Sequence, residues 1–291
     1  MMAQPQWINR QEYPFQGNTF RTEEGTLHYV DEGKGPVIIF LHGTPEWSFS
    51  YREVIKKFSA SYRCLALDML GFGLSDKPQQ ADYSVPAHAA RLHKWIEHLN
   101  LSDITFVAGD FGGAMAIDYT LAHKENVKGL VLWNTWCRDL MQDKHFRMPA
   151  NLLHTRLGKW LYRRLNFPVT VVMPRAYGDR KKLTKEIHLH YKAPLDSWAN
   201  RIATHEIGKE LKNASPWWQE RWERMEELRP VSTMMVWGMK DTFIPQTELA
   251  HWKKQIPFAK FISMPDAGHW PYEEQPEVFG YYLKEFLNER N

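Results

Sequence analysis

The sequence predicts an α/β fold built on a mostly parallel sheet, with a helical insertion ahead of its last strands. Three observations carry that prediction. Short, wholly apolar runs such as VIIFL at 37–41 recur along the first half, and such runs suit strands buried on both faces of a parallel sheet. Segments with helical spacing alternate with them, the pattern of parallel strands joined by helical crossovers. The rhythm stops after Trp136 and resumes only near residue 230.

In chain order, Leu27 to Glu32 alternates between Gly25 and Gly33 and reads as a strand. Val37 to Leu41 is the next strand and ends in His42-Gly43. Arg52 to Phe58 has helical spacing, and Tyr62 to Asp68 is a further buried strand, followed by a turn-rich segment at 70–78. Ser84 to Asn100 is a helix with Leu92, Ile96 and Leu99 among its apolar positions. Ile104 to Ala108 is a strand, 112–123 a helix, and Lys128 to Trp133 a strand. From Cys137 to about Arg229, residues Arg, Lys, His and Trp accumulate with helical spacing, and the one strand-like run is Val169 to Met173. Strands return at Thr233 to Trp237 and Lys260 to Met264. The expected organisation is a discontinuous α/β core, 1–136 and 230–291, with 137–229 as a helical insertion.

Composition narrows the function. In 291 residues, 37 Lys+Arg against 34 Asp+Glu leave a charge of +3, and 43% of residues are apolar, which excludes a disordered chain. The charge is too small to argue for nucleic acid, which needs a basic patch. Cys64 and Cys137 cannot form a disulfide framework, so a reduced, cytoplasmic setting is expected. The N-terminal residues lack a signal pattern, and no apolar run nears the roughly 20 residues of a spanning helix, so no membrane partner is expected. The patterns HExxH and CxxC are absent, and no metal or cofactor is expected. The 13 Trp fit either core filler or an apolar pocket.

The sharpest signal is the strand–turn–helix at 104–113, with Ala108-Gly-Asp-Phe-Gly112 at the turn. So tight a turn needs small residues on either side of position 110, and it pushes the Asp110 side chain out above the sheet. This is the pattern of a nucleophile elbow, with Asp where many such turns carry Ser. Alternatively Asp110 caps the following helix. A phosphate loop would need GxGxxG or GxxxxGK[ST], and neither occurs here. Two distant segments favour the elbow. Asp241 follows a predicted strand in Trp237-Gly-Met-Lys-Asp241, and His269 follows the last strand in Asp266-Ala-Gly-His-Trp-Pro271. The order Asp110, Asp241, His269 is that of nucleophile, acid and base in elbow-bearing hydrolases. The Phe40-Leu-His-Gly43-Thr44-Pro45 turn places a backbone N–H, with that of Phe111, where a developing oxyanion would sit. His42 is read as a structural residue holding this loop.

On these residues, together with 42–52, 68–78, Gly238-Met-Lys-Asp241 and Gly268-His269, the chain resembles the haloalkane dehalogenase family of the α/β-hydrolase fold. The resemblance implies that Asp110 attacks carbon to form an alkyl ester, that His269 activates water to cleave it, and that Asp241 orients His269. It implies a small apolar substrate, water as co-substrate, no cofactor, and a monomer or small homo-oligomer. Some relatives place the acid after an earlier strand, where this chain has Asn134, so Asp241 is the acid expected. The absence of GxSxG disfavours a serine esterase.

Two positions depart from the family. It commonly holds the leaving halide with a Trp after the nucleophile and an Asn after His-Gly, where this chain has Phe111 and Thr44. Losing such a donor costs about 3 kcal/mol. Trp160 and Trp198 of the insertion, by then a helical cap, are candidates to replace it. The related epoxide hydrolases use cap tyrosines as acids, for which Tyr162, Tyr177 and Tyr191 are candidates. Epoxide or lactone opening is therefore the alternative reaction, and a non-catalytic binding protein a third reading. Arg163-Arg164 and Lys181-Lys182 read as solvated helix faces.

Overall fold

A computed structural model describes residues 5–289. The strands are β1 (Gly17–Arg21), β2 (Thr26–Glu32), β3 (Val37–Leu41), β4 (Arg63–Leu67), β5 (Ile104–Gly109), β6 (Val127–Trp133), β7 (Ser232–Gly238) and β8 (Lys260–Met264). They form one sheet in the order β1-β2-β4-β3-β5-β6-β7-β8. The β1–β2 and β2–β4 pairs are antiparallel, and the pairs from β4 through β8 are parallel. The central strands β3 and β5 are buried almost throughout, which is why their sequences are continuous apolar runs rather than alternating ones. Strand β1, with only half-buried and exposed residues, carries no such run and escapes the sequence reading.

The core helices are α1 (Arg52–Phe58), α2 (Val85–His98) and α3 (Asp110–Ala122). Ser84 caps α2 by accepting from the Ala87 N–H, with Pro86 in the first turn. Between β6 and β7 come α4 (Lys144–Leu153), α5 (Arg156–Leu165), α6 (Met173–Ala176), α7 (Lys185–Lys192), α8 (Ile202–Asn213) and α9 (Ser215–Glu223). After β7 the chain adds α10 (Gln246–Gln255), α11 (Pro271–Glu274) and α12 (Pro276–Asn288).

The strand-like run Val169 to Met173 is not a strand. Residues Pro168–Val172 form a wide helical turn running into α6. Asn166, left-handed at φ 50°, ends α5 and turns its carbonyl toward the Val169 and Thr170 N–H groups. Those local bonds take the donors that a strand would offer to a sheet neighbour, so β-branched composition is overridden.

The strand order reverses direction at β3 and β5, so their C-terminal ends flank the crevice where open α/β sheets bind ligands. His42 to Thr44 leave β3 there and Asp110 leaves β5.

Candidate active site

Asp110 is the first residue of α3 and sits at φ 50°, a left-handed backbone that a turn this sharp demands. The crowding around it is measurable. A Cβ on Gly109 would lie 2.1 Å from the Trp133 ring and backbone, and one on Gly112 2.5 Å from the Leu41 carbonyl. A Cβ on Gly43 would lie 2.3 Å from Asp110 Oδ1, so the His-Gly loop reaches the carboxylate only because residue 43 has no side chain.

The two oxygens of Asp110 differ. Oδ1 accepts from the backbone N–H of Thr44 at 3.0 Å and of Phe111 at 2.8 Å. Oδ2 is buried, has no hydrogen-bond partner, and lies 3.4 Å from His269 Nε2. The other ring nitrogen, Nδ1, meets Asp241 Oδ2 at 2.7 Å. Asp241 Oδ1 in turn accepts from the Phe243 and Ile244 N–H groups at 2.7 and 3.0 Å. Burial works against a charged His269 ring, but the carboxylates of Asp241 and Asp110 outweigh it and hold the pKa well above the ordinary histidine value.

Asn134 is a supporting residue the sequence reading passed over as the place of a missing acid. Its amide donates to Asp241 Oδ2 at 2.8 Å, and its oxygen accepts from the Gly238 N–H at 2.8 Å. Its position directly after β6, beside β7, was the available signal. The His269 loop is anchored on the helical insertion. His269 N–H donates to the Ala176 carbonyl at 2.8 Å, and the Glu274 carboxylate accepts from Gly268, Gly178 and Asp179 N–H groups. His42 donates from Nδ1 to the Gly43 carbonyl and accepts at Nε2 from the Met69 N–H, which fixes the loop. Glu46, also overlooked in sequence, is wholly buried next to this site; burial pushes its carboxyl up to about 7 against a hydrogen bond from Tyr272.

Above Asp110 a pocket of about 490 Å³, part of it open to solvent, is lined by Thr44, Phe111, Tyr162, Val172, Leu211 and His269, with further apolar residues. Phe111 is buried and meets Trp136 edge-on at 5.0 Å. Among the aromatic candidates of the insertion, Tyr162 alone lines this pocket. Trp160 and Trp198 are 47% and 42% exposed and do not line it, so neither replaces the missing N–H donor. Tyr177 and Tyr191 both donate to Glu273 Oε2, which fixes them against the core. Burial first, and then the charge of Asp110, push the Tyr162 phenol up to about 12, so it stays protonated. The Thr44 hydroxyl is buried and unpartnered.

The chain is 31% identical over 269 residues to haloalkane dehalogenase 2 of Mycobacterium tuberculosis, covering 91% of this chain and 92% of that one. It is equally 31% identical over 287 residues to a cis-3-alkyl-4-alkyloxetan-2-one decarboxylase of Xanthomonas campestris, covering 91% and 93%. The crystal structure of a mutant of haloalkane dehalogenase DatA from Agrobacterium tumefaciens superposes with a TM-score of 0.86, covering 97% of this chain and all of that one at 20% identity. The model of the alpha/beta hydrolase fold family matches residues 36–276, from the strand that leads to Gly43 through the His269 loop, and to that family the chain belongs.

Proposed function

We propose that this protein is a hydrolase of the haloalkane dehalogenase type, which displaces a leaving group from saturated carbon through a covalent ester on Asp110. The carrying observation is the asymmetry of that carboxylate: Oδ1 is held by two backbone N–H groups while Oδ2 is unpaired and lies 3.4 Å from His269 Nε2. A carboxylate is ionised at neutral pH and needs no base to attack. Oδ2 forms a bond to carbon as the carbon–halogen bond breaks, and the halide leaves with the electron pair. The ester is uncharged, so one of the two carboxylates that hold the His269 proton is neutralised, and the ring becomes a competent base. Its Nε2 takes a proton from water, and the hydroxide adds to the ester carbonyl. The oxyanion forms at Oδ1, already between the Thr44 and Phe111 N–H groups. Collapse breaks the bond between the ester carbonyl carbon and the alkyl oxygen, His269 returns its proton to that oxygen as the alcohol leaves, and one oxygen of water remains in Asp110. In this reading 1–136 and 230–291 are the catalytic core and 137–229 is a cap closing a small apolar pocket.

A second reading has its own observation. The polar groups that the lining residues bring are the Tyr162 and Thr44 hydroxyls and a single indole N–H, the unpartnered one of Trp270, rather than two ring N–H groups. A protonated phenol suits the oxygen of a strained ring, as in an epoxide or a β-lactone, and an oxetanone decarboxylase stands among the relatives. A single turnover in heavy-oxygen water tests the shared step: the label enters Asp110, whereas a labelled product with unlabelled Asp110 overturns it. Halide release from bromo- and iodoalkanes, set beside ring opening of epoxides and β-lactones, then separates the readings. Tyr162→Phe is expected to cut ring opening by about 100-fold and halide release much less.

A further inference from the structure

From Lys144 to Gly178 the chain contains no Asp or Glu, yet carries Lys144, Arg147, Arg156, Lys159, Arg163, Arg164 and Arg175. No carboxylate stands within ion-pair distance of any of them among the described residues, while cations elsewhere such as Lys57 and Lys124 meet glutamates. The chain as a whole carries only +3, so the positive charge is concentrated here. The same stretch holds most of the exposed apolar bulk. Met148 is 71% exposed, Leu157 57%, Trp160 47% and Leu165 44%. On α5, Leu157, Trp160, Leu161, Arg164 and Leu165 share a face by helical spacing, and that face points outward, since Leu161 is half-buried and the others are exposed. The opposite side of the helix supplies Tyr162 to the pocket. An amphipathic helix normally turns its apolar stripe inward; α5 does the reverse, with Arg164 exposed among the leucines and Arg156 exposed one turn before Trp160.

We propose that this outer face of α4 and α5 is a docking surface for an anionic phospholipid bilayer, with Leu157, Trp160 and Leu165 entering the headgroup zone and Arg156 and Arg164 meeting lipid phosphates. Singly protruding apolar side chains between long cationic ones are the arrangement that an interfacial helix uses. A second copy of the chain is the poorer occupant, because a self-complementary contact would set these unpaired cations against one another. Of the Arg163-Arg164 pair expected on a solvated helix face, Arg163 is instead buried against Trp198 and donates to its carbonyl, and only Arg164 is exposed. The assignment departs from the sequence expectation of no membrane partner and does not depend on which group leaves from carbon.

The test is co-sedimentation of the whole protein with vesicles of phosphatidylcholine alone or enriched in phosphatidylglycerol, at low and high salt. Binding is expected to the anionic vesicles only, reversibly, and to weaken with salt. Arg156→Gln with Arg164→Gln should weaken partitioning by roughly 25-fold, at about fivefold per charge. Lys128→Gln with Lys260→Gln, at the far edge of the sheet, should leave it unchanged. Cys64 and Cys137 are buried, so Leu157→Cys can carry a polarity-sensitive dye, whose emission should shift to the blue on anionic vesicles. The proposal is overturned by no binding to anionic vesicles, by equal loss in the two double variants, by an unshifted dye on bound protein, or by self-association through this face in place of vesicle binding.

Discussion

Replacing His269 by Gln separates the two halves of the proposed reaction. The first half uses only Asp110. Its Oδ1 contacts, 3.0 Å from Thr44 N and 2.8 Å from Phe111 N, come from the backbone and survive the substitution. Oδ2 loses only the ring 3.4 Å away, so alkylation continues. The second half loses the sole ring nitrogen beside the ester. A positioned general base contributes about 10²–10⁴ in rate, or about 3–5 kcal/mol of barrier. Asp241 would keep its Phe243 and Ile244 N–H partners, so the fold around the empty place is retained. With a substrate that the wild type turns over, the variant should release one equivalent of leaving group and then stop. Intact-mass spectrometry should show one alkyl adduct, and peptide mapping should put it on Asp110. A stoichiometric burst without the adduct, or steady turnover within tenfold of the wild type, would refute the ester mechanism.

Asn134→Ala removes a hydrogen bond to a buried carboxylate and a second one to Gly238 N, and leaves Ala at φ 22°. The expected loss of about 3 kcal/mol in urea unfolding should come with a fall in kcat, and a loss under 1 kcal/mol would argue against the support role. Glu46 has its pKa raised from 4.5 to about 7, so the folded state holds a proton that the unfolded chain has released. Stability from this group is therefore present in acid and lost as pH rises from 4.5 through 7, by about 3 kcal/mol in all. Glu46→Gln should unfold at higher urea than the wild type at pH 8 and alike at pH 4; an equal difference at both values would reject the assignment.

The parts of the protein that sequence alone determines are those whose physics is local. An apolar run buried on both faces names a central strand, as VIIFL and ITFVAG do for β3 and β5. Ala108 and Gly112 name the elbow, because that turn needs small residues two positions either side of Asp110, and a Cβ on Gly112 would already meet the Leu41 carbonyl. Asp241 and His269 were legible because each follows a strand end, and all parallel strand ends meet at one edge of the sheet. Strand β1 was missed for want of such a run, and Val169 to Met173 was misread because β-branched residues also fit a helical turn pinned by Asn166. What only the tertiary structure decided is direction. The insertion's aromatic residues look equivalent in sequence, yet Tyr162 lines the pocket, Tyr177 and Tyr191 bind Glu273, and Trp160 faces out. Periodicity records that a helix has an apolar side; it carries no information about what lies opposite that side, which depends on how distant segments pack.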